Sequence, residues 1–224
     1  MEQKISLQEA VAARHSVRQY TDKPIDMETL AALQDKIQAL NVESGLHMQL
    51  VTNEPQAFDS FMAHYGKFSG VSNYFALIGS GDHLDERCGY YGEQLVLLAQ
   101  QLGLNTCWVG MTFKKVASAL DIRKGEKLTA VIALGYGQTQ GVQHKRKTIG
   151  EVSACQGDMP DWFRRGVECA LLAPTALNKQ KFHFKLRGDR VHATTSWGAF
   201  TKVDLGIAKY HFEIGANVGH DIWL

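Results

Sequence analysis

Arg14, Ser16 and Arg18 stand at i, i+2 and i+4 in the stretch RHSVRQY. On an extended backbone all three side chains point to one side, and on a helix the two arginines still share a face. Two guanidinium forks and a hydroxyl converging on one point suit a terminal phosphate. The same spacing also describes a solvated basic helix end. A second basic cluster, His144-Lys145-Arg146-Lys147, follows an apolar strand-like run. Charge runs are usually solvated faces, but with a net charge of only +1 two such clusters weigh more together than apart. A third stretch, APTALNKQ at 173–180, closes the apolar run VECALLA. Pro174 and Asn178 are ordinary helix-stop and turn residues. Equally, the small neutral residues Thr175 and Ala176 admit a flat ligand close to the backbone, while Asn178 offers it a donor and an acceptor.

Other chemistries fit less well. GYGQTQG at 135–141 has Gln140 where a third glycine of a dinucleotide fingerprint belongs, and GSGDHLDERCG has Leu84 there. Neither opens the required helix with an acidic residue at the right distance, so both read as strand-end turns. Nine histidines occur without HExxH, and His211, Glu213 and His220 do not make a helical ligand face, so no metal site is expected. The four cysteines show no CxxC spacing, and Cys169 sits inside an apolar helix pattern, which reads as packing. Hydrophobic content of 45% and charged content of 21% are ordinary globular values. The near-zero net charge gives no global field for nucleic acid or an anionic membrane. No run is apolar and long enough for a signal peptide or a membrane span, which makes a cytoplasmic protein the expectation.

The elements that must position these residues follow from periodicity. Ser6-Leu-Gln-Glu9 has the form of a capping box opening a short helix. Asp26 can cap a second helix with Met27, Leu30, Leu33, Ile37 and Leu40 on one face. LHMQLVT alternates like a half-buried strand, and PQAFDSFMAHY reads as a short helix. NYFALIGSG and LTAVIALGYG read as buried strands. CGYYGEQLVLLAQQLGL predicts a helix stopped by Gly103 and apolar on nearly every face, which must be buried in a core or against a partner. KKVASALD predicts a short helix, PDWFRRGVECALLA a helix begun by Pro160, and KFHFKLRGDRVHATTS a hairpin about Gly188-Asp189. Asp204 is placed to cap LGIAKYHFEIGAN. Helices interleaved with about five strands, part of them antiparallel, predict an α+β fold with a mixed, largely antiparallel sheet flanked by helices. No linker divides the chain, so one domain over residues 1–224 is expected, with two loosely similar halves at about 1–150 and 151–224. A helix–turn–strand pattern at 27–52 recurs faintly at 161–187.

Taken together, four stretches resemble the FMN-dependent nitroreductase family. RHSVRQY followed by Pro24-Ile25 looks like its phosphate-binding opening. GYYGEQLVLLAQQLGLNTCWVGMTF is similar to its long central helix and flavin-edge loop. AVIALGYG with HKRKTIGE resembles its strand and distal basic loop, and APTALNKQ its flavin-ring turn. One departure is informative: that turn usually lies close behind the phosphate arginines, whereas here it lies in the C-terminal half. Lys181 and Phe182 also replace the usual Pro-Trp after the Gln. This order resembles a divergent branch of the family.

The resemblance implies that Arg14, Ser16, Arg18 and Arg146 hold the FMN phosphate. It implies that Pro174, Thr175, Ala176 and Asn178 border the ring and ribityl chain, and that Gly110 and Met111 present backbone to the flavin edge. A homodimer with the flavin at its interface is implied as well. The implied activity is a ping-pong oxidoreductase taking electrons from NADH or NADPH to a small-molecule acceptor such as a nitroaromatic or quinone. The chemistry resides on the flavin, so no catalytic side chain is required. The alternative is an FMN-binding sensor or carrier without turnover.

Overall fold

The structure, a computed structural model, describes residues 5–224. Helix α1 (Leu7–Ala13) opens with the capping box, in which Ser6 and Glu9 exchange side chain–backbone hydrogen bonds of 2.7 and 3.2 Å. Helix α2 (Met27–Ser44) is capped by Asp26, whose carboxylate accepts from the Thr29 N–H at 2.8 Å, and ends on Gly45 at φ +68°. Then come β1 (Gln49–Val51), α3 (Phe61–Tyr65), β2 (Asn73–Gly79), α4 (Leu84–Gln101), β3 (Asn105–Val109) and β4 (Lys127–Gly135). The C-terminal third holds α5 (Ile149–Val152), β5 (Ser153–Ala154), α6 (Asp161–Ala170), β6 (Phe182–Arg187), β7 (Arg190–Thr195) and α7 (Thr201–Ala216).

An antiparallel sheet in the order β1-β2-β4-β3 forms the centre of the first part. Its inner strands read as continuous apolar runs because both faces are covered. Tyr74, Ala76, Ile78, Val131 and Ala133 pack under Phe58 and Phe68 on one side. Phe75, Leu77, Ala130, Ile132 and Leu134 pack under α2 and α4 on the other. A separate small sheet, β5-β6-β7, stands behind α6 and α7 around Phe163, Phe182, Phe184 and Phe212.

Helix α4 resolves the puzzle of an all-round apolar sequence. Leu95, Val96 and Ala99 face the sheet, Leu97 meets Ala10 and Val11 of α1, and the glycine-bearing side lies directly on α7. A Cβ at Gly89 would collide with the Val203 carbonyl, and one at Gly206 with the Glu86 carbonyl, so the two backbones touch.

Three sequence expectations need correction. KKVASALD forms only a 3₁₀ turn at Ala117–Ala119: Val116 alone is buried, Ala119 and Leu120 pack partly against the core, Ala117 is exposed, and so short a segment gains little from a further helical turn. Among the described residues the strands number seven, in two sheets rather than one. Asp204 does not cap α7, because that helix already begins at Thr201 after Phe200 in the left-handed region at φ +61°. Asp204 therefore lies inside the first turn.

Candidate functional site

Beyond α1 the backbone straightens at Arg14 (φ −68°, ψ 119°) and runs beside the edge of β3. The Val17 N–H donates to the Thr106 carbonyl at 3.0 Å, and Ser16 forms a bridge with Thr106. The edge strand β3 thus supplies the extended conformation that aligns Arg14, Ser16 and Arg18. Burial pushes the Cys107 thiol's pKa up, against the pull of Arg18, a Ser16 hydrogen bond and Arg14. The two arginines differ in setting: Arg18 is exposed and lies 6.0 Å from the Phe68 ring, while Arg14 is only 3% exposed.

Arg14 is fastened from behind. Its Nη2 donates to the Leu172 carbonyl at 3.3 Å, and its Nε lies 3.8 Å from Glu93 Oε1, buried and without a hydrogen-bond partner. Glu93 on α4 is fully buried, which a carboxylate tolerates only with partners around it. Its Oε2 accepts from Trp108 Nε1 at 2.8 Å, and its Oε1 lies 2.8 Å from Nε2 of the equally buried His211 on α7. His211 Nδ1 faces the Cys169 carbonyl at 3.3 Å, and a carbonyl can only accept, so that nitrogen carries its hydrogen. The Nε2–Oε1 contact is then bridged by a single proton. Sequence spacing does not reveal Glu93 and His211 as partners, because they stand 118 positions apart.

The basic loop meets this segment from the other side. The His144 imidazole lies 3.0 Å from the Leu171 carbonyl through Nε2. Its pKa is lowered chiefly by burial, and further by Arg14, Arg146 and His15. Burial and then Arg14 lower His15 likewise. A Cβ at Gly141 would come within 2.8 Å of the His15 side chain, so loop 137–141 lies on the same segment. Positive charge from two distant stretches of chain is therefore concentrated in one place, where an anion is the favoured neighbour.

The turn 174–180 is bound to that loop through Gln180, 2% exposed. Its Nε2 donates to the Lys145 carbonyl at 2.8 Å and to Asn178 Oδ1 at 2.9 Å, and its Oε1 accepts from the Lys147 N–H at 3.0 Å. Asn178 Nδ2 also donates to the Lys145 carbonyl, at 2.8 Å. The amide of Asn178 is thus engaged within the protein and ties turn to loop. Thr175 Oγ1 accepts from the Gln180 N–H at 3.1 Å, which closes the turn, and Pro174 is buried beneath it.

The first turn of α7 joins the remaining pieces. The Asp204 carboxylate accepts the Ala176 N–H at 2.9 and 3.1 Å, and burial lifts its pKa to about 7 against that hydrogen bond. Four residues earlier the Phe200 ring fills the space where a Gly110 side chain would stand, so only backbone is presented there. Met111 beside it is exposed. Leu177, Asn178, Gln180 and Phe200 all have positive φ, from 44° to 61°, and make up half of the eight such non-glycine residues among those described. Backbone strain of this kind persists where the surroundings over-determine it, and it concentrates at ligand sites.

The Arg14 segment, the basic loop and the turn therefore come together in the fold through Arg14, His144, Asn178 and Gln180, while the Arg146 side chain is exposed on that loop. Gly110 and Met111 join them through Phe200, and Arg18 stands at the exposed end of the row. Among the described residues no group of three or more His, Cys, Asp or Glu side chains is arranged to hold a metal ion, and no helix is long and apolar enough to cross a membrane.

The family model described as "Putative TM nitroreductase" matches residues 6–216, and the chain belongs to this nitroreductase family. It is accordingly an oxidoreductase of nitroreductase type. A solved structure described as a "putative nitroreductase" from Thermotoga maritima MSB8 superposes with a TM-score of 0.67 at 23% identity, over 96% of this chain and 85% of that one. A "Putative NADH dehydrogenase/NAD(P)H nitroreductase" of Bacteroides thetaiotaomicron gives a TM-score of 0.53 at 16% identity, over 67% of this chain and 97% of that one. NfrA2 of B. megaterium gives 0.52 at 13% identity, over 64% and 72%. At these identities the likeness is one of fold. No curated protein matches the chain.

Proposed function

We propose that the chain binds FMN where the segment 14–18, the loop 144–147 and the turn 174–180 meet, and reduces a nitroaromatic, quinone or similar acceptor with electrons from NADH or NADPH. The observation that supports this most directly is the meeting of the Arg14 segment and the basic loop on one stretch of chain: Arg14 bonds the Leu172 carbonyl, His144 the Leu171 carbonyl, and Asn178 and Gln180 the Lys145 carbonyl, beside a turn of positive-φ residues. The donor set fits the group: guanidinium forks with a hydroxyl suit a phosphate dianion, and Arg14 Nε, 3.8 Å from Glu93, makes no hydrogen bond in the protein.

On this reading Arg14, Ser16, Arg18 and Arg146 hold the phosphate, with Glu93 and His211 keeping the Arg14 guanidinium in place from behind. Pro174, Thr175 and Ala176 border the ring and ribityl chain. Asn178 acts by holding that turn against Lys145. Gly110 and Met111 offer backbone at the ring edge, where the Phe200 ring closes off water. Bound FMN supplies two-electron chemistry, taken from the nicotinamide and passed to the acceptor in ping-pong order. The protein's part is orientation and electrostatics, and no side chain needs to move a proton in the reductive half.

An absorption spectrum of the purified protein, followed by anaerobic addition of NADH or NADPH, tests the proposal. Flavin bands that bleach support it. Protein that is colourless and indifferent to added FMN overturns it, and flavin bands that resist both nicotinamides point to a binding module without turnover.

A further inference from the structure

The second half of the chain repeats the first with a regularity that the faint sequence echo only hints at. Strand β2 begins at Asn73 and β7 at Arg190, and helix α4 begins at Leu84 and α7 at Thr201, so both pairs are offset by 117 positions. The residues preceding the two helices, His83 and Phe200, share that offset and the left-handed conformation, at φ 52° and 61°. Without a gap, Ala76, Gly81, Gly89 and Ala99 fall on Ala193, Gly198, Gly206 and Ala216. Each unit also pairs its second strand antiparallel to its first, with Ala76 opposite Gln49 and Ala193 opposite Phe184, and each is preceded by a helix, α2 or α6.

The contacts between the units obey the same rule. Gly89 lies against the Val203 carbonyl and the Ile207 N–H, and Gly206 lies against the Glu86 carbonyl and the Tyr90 N–H. Val203 and Ile207 are the counterparts of Glu86 and Tyr90. Position i of one helix touches position j of the other, and j touches i, which is the signature of a twofold, self-complementary interface. Here it lies inside one chain.

The two copies are not equivalent in what they offer a ligand. Aligning β1 on β6 through their paired residues, 49 on 184, sets the turn 174–178 on residues 39–43. In the first unit those residues are the helical end of α2, so no second turn is built there. The turn of the second unit instead meets the basic segments that flank the first in sequence, through Arg14 to Leu172, His144 to Leu171 and Asn178 to Lys145.

We infer that residues 27–101 and 161–216 are two copies of one helix–strand–strand–helix unit docked about an internal twofold axis at the α4–α7 crossing, so that one chain completes one flavin site without residues from a second. The number of flavins rests on the function proposed above. The internal docking does not.

The test mixes two full-length variants, Arg14→Ala and Asn178→Ala, each weakened in FMN binding, after reversible unfolding together. A site completed in one chain leaves the mixture's FMN titration equal to the average of the two variants. Sites of parental affinity in the mixture require residues from two chains and overturn the inference. A second measurement needs no flavin: the melting temperature of the protein over a hundredfold range of concentration. Docking of α4 on α7 within a chain gives a constant value. A melting temperature that climbs with concentration shows that folding is coupled to association with a second chain and overturns the inference of a self-sufficient single chain, whatever the flavin result.

Discussion

Replacing Asp204 by Asn isolates the one carboxylate that the fold buries against the turn. Asp204 is 4% exposed, accepts the Ala176 N–H through both oxygens, and has its pKa raised by burial from 3.8 to about 7. A carboxyl whose folded pKa lies above its unfolded one binds more protons when folded between the two values. Its contribution to stability is therefore complete below about pH 4 and is lost as the pH rises through about 7. At ~1.4 kcal/mol per pKa unit the gap sets a ceiling of about 4 kcal/mol. The charge-favouring N-terminal end of α7, where Asp204 lies in the first turn, reduces that ceiling. Asn keeps the shape and an amide oxygen for the Ala176 N–H but carries no charge. The variant and parent should thus be about equally stable near pH 4, with the variant ahead by ~1–4 kcal/mol near pH 8. Urea unfolding of both proteins in half-unit steps of pH checks this, because every other titrating group cancels in the difference. A difference that stays within about 0.5 kcal/mol across the range, or that grows in the parent's favour, would refute the buried-carboxylate argument.

Further outcomes follow from the same geometry. Arg14→Ala or Arg18→Ala should weaken FMN binding by ~1.5–3 kcal/mol, roughly ten- to a hundredfold, in a fluorescence titration, and unchanged binding in both would remove the phosphate assignment. Glu93→Gln leaves Arg14 buried without its carboxylate and should destabilise the chain by ~3–5 kcal/mol in urea, whereas a neutral effect would mean that the Glu93–His211–Arg14 group carries no net stabilisation. The His144 resonance should titrate below the ordinary histidine range in the free protein, where burial and two arginines disfavour its charge. Its pKa should rise when FMN or inorganic phosphate is bound, since a dianion offsets those arginines, and a value that stays or falls places the phosphate elsewhere.

Local chemistry made much of the chain legible. The Ser6–Glu9 capping box, the Asp26 cap, the Gly103 helix stop and the Gly188 hairpin turn depend on hydrogen bonds and φ angles reached within a few residues. The apolar runs of β2 and β4 announced strands covered on both faces, and the LVLLA run of α4, apolar on nearly every face, announced burial in a core or against a partner. The residue types able to hold a phosphate were equally visible in RHSVR and HKRK.

What the sequence by itself determined, then, was which elements form and which side chains could carry the chemistry. It did not disclose that α4 finds its cover in α7, since reciprocal glycine contacts 117 positions apart leave no periodic signal in either helix. Nor did it disclose that Glu93 and His211 meet behind Arg14, that Gln180 binds the turn to Lys145, or that Asp204 serves Ala176 rather than its own helix end. Those pairings are long-range: each residue has an ordinary local alternative, and only the packing of the two units against each other selects the partner. Tertiary structure decided the site because its parts come from stretches of chain that share no local geometry until the core brings them together.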